Sequence, residues 1–499
     1  MAEKGLKHIA FDLGAESGRA VVGWLEDGKL KMEELHRFPT QGLLVRGTLR
    51  WNVYRFYEAI LEALRKYAAQ YGGHLDSIGV DTWGLDYGLL DDTGDLLELP
   101  YHYRDARTAG TDRLVDSRLG NRRVYEITGI QFLICNTLNQ LTAAVRDDNR
   151  AVREAKGLLF MADLLHYMLG GGLYTEYTVA SISQMMDTRS RCWSDEIFDA
   201  IGIPRAFQTT IVRAGDCVGT LRDDIAAQTG INGGVMLIAP AVHDTASAAA
   251  AVPAQGKDWA YISTGTWCIA GLETEKPIIS DESFRLNISN SGGAFDRNLF
   301  LKNVMGLWII QQCKKEWNRQ HPELGYAEIM SLAEQAPPFA AFIDPDDELF
   351  FNPQNGVEAV RDYLKKTGQS TAAANTIGGV ARLVFEGLAL KYRYVLKRLC
   401  AVAGRRIERL HLIGGGIQNT LLCQMTANAL GVKTFAGPIE ATAAGNLLLQ
   451  AYGSGEIASL EELRGIVANT FTLHEYLPQQ QQQWSEAYGQ FLNTCGLKE

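Results

Sequence analysis

Three short segments of this 499-residue chain hold residue types suited to work on phosphate. The first is Asp12-Leu13-Gly14-Ala15-Glu16-Ser17-Gly18-Arg19. Two glycines and a serine let the backbone come close to a ligand, and the N–H groups of such a turn can surround phosphate oxygens. Arg19 adds positive charge, and Asp12, at the end of an apolar run, is a candidate to hold Mg²⁺ through water. The segment is not a Walker A loop, because the closing Gly-Lys-Ser/Thr is missing, nor a dinucleotide fingerprint, because a strand is expected to follow. By itself it reads more readily as an ordinary hairpin turn. The second segment, Ser263-Thr264-Gly265-Thr266-Trp267, repeats the plan. The third, Gly414-Gly415-Gly416-Ile417-Gln418-Asn419, places bare backbone where a helix is expected to start, which suits a base, a ribose or a phosphate. Together the three turns point to a bound nucleotide.

Other segments suit a hydroxylated partner. In Ala241-Val242-His243-Asp244-Thr245 an aspartate stands between an apolar strand and an Ala-rich helix. Such a residue commonly caps the helix, and it is also placed to take a proton from a hydroxyl attacking a phosphoryl group. His243 is open to a substrate hydrogen bond or to packing. Trp83 offers an apolar face to a sugar ring, with simple core packing as an equal reading, and Gly84 lets backbone approach ring hydroxyls. Residues 303–311 read as an amphipathic helix. Asn303 and Gln311 would then share a face about 12 Å apart, with a solvated surface as the plain alternative.

The elements that must position these residues alternate. Residues 8–13, 21–25, 77–81, 259–263, 267–271 and 409–413 read as strands, and 54–70 and 378–402 as helices, an α/β pattern. Both halves start with an apolar strand running into a small, hydroxyl-bearing turn. Two related domains are expected, 1–245 and 246–499, with a boundary near 245–258.

Composition narrows the class. A net charge of −10 and a pI near 5.5 argue against a nucleic-acid surface, while a phosphate held by backbone N–H groups needs no net positive charge. Fifty glycines exceed the usual share and fit many close backbone approaches. The opening MAEKGLKHIAFDLG has no apolar signal core, and no apolar run reaches the ~20 residues that span a bilayer. Eight scattered cysteines without a CxxC pair fit buried free thiols. A cytoplasmic protein without membrane or nucleic-acid partners is expected, and no protein partner is inferable.

The motifs GVDTWGLDYGLLD (79–91), YRDART (103–108), GIQFL…NTL (129–138), HDTASA (243–248), STGTW (263–267), KNVMGLW (302–308) and GGGIQNTLL (414–422) resemble those of the FGGY carbohydrate kinases, members of the actin-like ATPase superfamily. The likeness runs from about His8 to the mid-470s. It implies two ribonuclease-H-like domains flanking a catalytic cleft, with ATP and Mg²⁺ as co-substrate and cofactor. The words VDTWG, HDTAS and NVMGLW resemble the branch that acts on L-rhamnulose, so the expected reaction is phosphorylation of its O1 in L-rhamnose catabolism. By the resemblance Asp244 is the catalytic base. Gly84, His243, Asp244, Thr245 and Asn303 form the sugar site. Ala15, Glu16, Ser17, Gly18, Arg19, Thr266, Gln311 and Gly415 form the nucleotide site, Glu16 through its backbone or through Mg²⁺, and Asp12 associates with Mg²⁺. The competing expectations are a kinase for another ketose such as L-fuculose, and a non-catalytic nucleotide-binding protein of the actin or chaperone type.

Overall fold

A largely apolar run flanked by turn residues makes a strand covered on both faces, and His8–Leu13 (β1) has every residue buried. The computed structural model describes residues 5–498. After the turn, Ser17–Glu26 (β2) returns antiparallel to β1, and Lys29–Pro39 (β3) follows antiparallel to β2. On the other side of β1 lies Ser77–Thr82 (β4), parallel to it and buried throughout. Two short strands, Cys217–Thr220 (β5) and Met236–Ile238 (β6), complete a six-stranded sheet ordered β5-β6-β4-β1-β2-β3. The register sets Asp12 opposite Arg19 on β2 and opposite Asp81 on β4.

The helix Val53–Tyr71 buries Phe56, Ile60, Leu64 and Tyr67 in the same apolar core as Ile9, Phe11 and Leu13. The helix Ala441–Gly453 docks on this sheet by side-chain amides. Gln450 Nε2 donates to Ile9 O at 3.1 Å, Ser77 Oγ donates to Gln450 Oε1 at 2.7 Å, and Asn446 Nδ2 donates to Asp81 Oδ2 at 2.6 Å.

A second sheet repeats the plan. Trp259–Thr264 (β7) and Trp267–Thr274 (β8) form an antiparallel hairpin, and Asn298–Met305 (β9) is the next neighbour of β8. Arg409–Ile413 (β10) runs parallel to β7 and Lys433–Ala436 (β11) parallel to β10, with His474–Tyr476 (β12) antiparallel at the edge. The long helix Ile377–Ala403, capped by Thr376 Oγ1 on Gly379 N at 3.0 Å, is largely buried and touches the helix Thr420–Leu430.

The chain forms two compact units. One takes the residues up to Pro253 together with Glu273–Phe300 and Ala441–Thr470; the other takes Ala254–Leu272, Leu301–Glu440 and the residues from Phe471 on. The single division at 245/246 expected from the sequence is simpler than this, because later segments return to the first unit. One local expectation is corrected. Residues 303–311 are not one helix: β9 continues to Met305, and the helix starts at Trp308. Sheet neighbours override the helical spacing, and Gly306 is the break, since a Cβ there would lie 2.7 Å from both Cys268 Sγ and Gly265 O. The helical stretch expected after Asn419 is found there. Gly415–Gln418 is a 3₁₀ turn, and the helix begins at Thr420, capped by Asn419 Oδ1 on Leu422 N at 2.9 Å. Among the described residues no helix is long and apolar enough to cross a membrane.

Candidate active site

Three carboxylates gather in the first unit, where parallel strands end. β1 ends just past Asp12, β4 just past Asp81, and the run from β6 reaches Asp244 after Thr82 N donates to Val242 O at 2.9 Å. Arg19 holds Asp12 Oδ2 through Nη2 at 2.6 Å and Nε at 3.0 Å. Asp81 is fully buried; Asn446 satisfies Oδ2, while Oδ1 has no partner. Burial, then the charges of Asp12 and Asp244, push the Asp81 carboxyl well above the usual carboxylate range. Asp244 keeps 32 % of its side chain exposed. Its Oδ1 accepts from Thr245 N at 2.5 Å and Thr245 Oγ1 at 3.1 Å. Burial and then Asp12 raise it to about 7. His243 Nε2 stands 3.7 Å from Asp244 Oδ1, and burial lowers the imidazole to about 4, so it is neutral near pH 7. Its Nδ1 is buried without a partner, a hydrogen-bonding position left for a ligand.

Asp12 was legible in the sequence as a metal candidate; Asp81 was not, because only the register of β4 on β1 makes it Asp12's neighbour. Among the described residues no group of three or more His, Cys, Asp or Glu is placed to hold a metal ion. Two adjacent carboxylates with one orphaned oxygen nevertheless fit Mg²⁺, which takes one or two protein carboxylates and fills its shell with water and phosphate.

The turn from Gly14 to Ser17 is held from behind. Gly14 N donates to Ser17 O at 3.0 Å, Thr40 N to Glu16 O at 3.2 Å, and Thr40 Oγ1 to Gly14 O at 2.5 Å. Glu16 and Ser17 lie exposed at the tip, Ala15 and Arg19 are half-buried, and Gly18 is buried in β2. Thr40 carried no signal in the sequence, since it acts only after β3 has folded back.

Gly84 lies against His243. Its φ of +75° suits glycine, and a Cβ there would meet Ile182 Cδ1 at 2.6 Å and His243 Cδ2 at 3.3 Å. Trp83 is fixed rather than loose. Its ring centroid is 4.2 Å from that of Trp51, and its Nε1 donates to Asp86 Oδ2 at 3.0 Å. Asp86 also accepts from Trp51 Nε1 at 2.5 Å, Tyr103 N at 3.2 Å and Gln140 Nε2 at 2.8 Å, and its burial lifts the carboxyl to about 6. Trp51 and Gln140 were missed because neither falls within a motif, Gln140 lying just past the one that ends at Leu138.

In the second unit the β7–β8 turn, the start of helix Trp308–Trp317 and the glycine triplet interlock. Leu307 N donates to Gly265 O at 3.0 Å and Trp308 N to Thr266 O at 3.2 Å. Thr264 Oγ1 donates to Ile413 O at 2.8 Å. Gly414 has φ +86° and ψ 176°, and a Cβ there would lie 2.8 Å from Thr264 O. At Gly416 a Cβ would lie 2.8 Å from Leu307 Cδ1, whereas at Gly415 it would meet nothing within 4 Å. Gln311, one helical turn from Leu307, has a buried Oε1 without a partner. Thr266, Gln311 and Gly415 thus belong to one interlocked group with open backbone at Gly415. Asn303 sits half-buried on β9 and not on the helix that carries Gln311.

Residues 8–251 match the N-terminal domain, and residues 260–454 the C-terminal domain, of the FGGY family of carbohydrate kinases. The chain belongs to that family. Its curated relatives include proteins named rhamnulokinase from Bacteroides thetaiotaomicron, 41% identical over 97% of this chain and 98% of the relative, and from Pectobacterium carotovorum, 37% identical over 98% and 96%. Another, from Ligilactobacillus salivarius, is 35% identical over 97% and 99%. Among solved structures it is similar to a xylulose kinase from Lactobacillus acidophilus, with a TM-score of 0.81 at 14% identity over 98% and 97% of the two chains. It is also similar to Plasmodium falciparum glycerol kinase, with a TM-score of 0.75 at 13% identity over 99% of each. The two-domain α/β sugar-kinase fold expected from the motifs is the fold the chain has.

Proposed function

We propose that this protein transfers the γ-phosphoryl group of ATP to O1 of L-rhamnulose, giving L-rhamnulose 1-phosphate and ADP, in the cytoplasmic breakdown of L-rhamnose. The observation that carries the reading is Asp244, a partly open carboxylate raised to about 7 beside a neutral histidine with a spare nitrogen. The near full-length likeness to proteins named rhamnulokinase supports the choice of ketose.

In this reading Asp244 orients the O1 hydroxyl and takes its proton as O1 forms its bond to the γ-phosphorus and the bond to the ADP oxygen breaks. Gly84, His243, Thr245 and Asn303 bind the ketose. The N–H groups of residues 15–19 meet phosphate oxygens, and Thr266, Gln311 and Gly415 meet the nucleotide, Gln311 with its spare amide oxygen. Asp12 and Asp81 would hold Mg²⁺, which when bound neutralises polyphosphate charge.

A panel of ketoses with ATP, followed by ADP release, tests this. L-Rhamnulose is expected to give the highest kcat/KM, about tenfold or more above L-fuculose. Equal or better turnover of another ketose would reassign the substrate. ATP binding with no sugar-stimulated ADP release would favour a nucleotide-binding protein of the actin or chaperone type.

A further inference from the structure

The segment that carries Asp244 is gripped by residues that no motif above includes. Glu176 ends the buried strand Tyr174–Glu176 and caps the helix Tyr177–Ile182, its Oε2 accepting from Thr178 N at 2.8 Å. A simple helix cap would stop there. The same oxygen also accepts from Val242 N at 3.2 Å and from the Thr178 hydroxyl, and that hydroxyl accepts from His243 N at 3.1 Å. The two backbone N–H groups that immediately precede Asp244 are therefore both satisfied by one side-chain pair more than sixty residues earlier in the chain.

These N–H groups need such partners. β6 pairs with β4 only at Met236 and Leu237, and beyond that the two runs touch again only through Thr82. Leaving a buried N–H without an acceptor is unfavourable, so the 242–243 backbone would shift to find one. Glu176 and Thr178 are fully buried. The helix they start ends at Ile182, whose Cδ1 closes over Gly84. The grip thus reaches both His243 and the Gly84 turn. Burial raises the Glu176 carboxyl to about 8, and Oε2 accepts hydrogen bonds in either protonation state.

We propose that Glu176, acting with Thr178, is a positioning residue for phosphoryl transfer, fixing the Val242–His243 backbone so that Asp244 meets the ketose hydroxyl. The proposal rests on the reading of Asp244 as the base. Four variants test it. Glu176→Gln and Thr178→Ser keep the acceptor oxygens and are expected to leave kcat and both KM values within about threefold of wild type. Glu176→Ala and Thr178→Val remove them. Each is expected to lower kcat by roughly 100-fold and to raise the KM for L-rhamnulose about fivefold, with the KM for ATP unchanged. Lost folded protein alone would lower kcat and move neither KM. Hydrogen exchange over residues 236–247 reads the grip without turnover, and there the disruptive variants should exchange at least about tenfold faster while β1 stays protected. An unchanged ketose KM, or unchanged exchange, in both disruptive variants overturns the clamp; Thr178→Val decides if Glu176→Ala does not fold. If wild type phosphorylates no ketose, the functional reading fails while the exchange result still stands for or against the clamp.

Discussion

In the proposed reaction Asp244 answers to two opposed demands, since its charged form would accept the proton while its surroundings disfavour that charge. Asp244→Asn is expected to lower kcat about 10²–10⁴-fold while sugar binding persists, the range for a lost general base; near-normal turnover would remove it from that role. The same substitution should stabilise the fold at high pH. The folded-state value of about 7 exceeds the ordinary 3.8, so between those values the folded chain binds the proton more tightly than the unfolded chain. Stability from this group is present at low pH and is lost as pH rises towards 7. Melting curves should therefore show Asp244→Asn above wild type at pH 8, with the gap closing near pH 4. Kinetics should show the same titration, log kcat/KM rising with unit slope below about pH 7 and levelling above it. Asp244 could be singled out as a candidate in the sequence because a lone acid between an apolar strand and a small-residue helix is a local pattern. Asp81, Glu176 and Thr40 could not, since strand register or backbone 26 to 66 residues away creates their roles.

At the level of elements, the two hairpins were legible because each is a local object, two apolar strands around a small turn. The stretch 303–311 was not, because Asn, Leu and Gln four residues apart suit a helix face, and only a neighbouring strand decides against it. The glycine triplet divides three ways. Gly414 occupies a φ,ψ region that other residues essentially do not enter, and its Cβ position faces Thr264 O at 2.8 Å. Gly414→Ala is expected to destabilise by roughly 1–3 kcal/mol or more, visible as a lower Tm. Gly415 has open space where a side chain would go. Gly415→Val should leave Tm unchanged and raise the KM for ATP about tenfold, with the ketose KM within about twofold. A larger effect on the ketose would move Gly415 out of the nucleotide site.

For the whole molecule, a single cut near residue 245 follows naturally from a linear reading, because each half has its own turn and sheet. What a linear reading misses is that Ala441–Gly453 belongs with the first sheet, where Asn446 and Gln450 reach Asp81, Ser77 and Ile9. A fragment of residues 1–245 therefore lacks partners for buried polar groups of its central strands. It should show a weak near-ultraviolet circular dichroism signal and bind ANS, the marks of lost tertiary packing. A cooperative melt like that of the full chain would show that the first sheet does not need the returning helix. The same arrangement bears on birth at the ribosome. At ~5–20 residues per second, the stretch from Pro253 to Ala441 takes roughly ten to forty seconds to emerge, and the first sheet waits all that time for its last helix. A nascent chain with an uncovered apolar sheet is open to aggregation for that interval, so the yield of active enzyme should depend on chaperone supply and translation rate more than the finished protein's stability suggests.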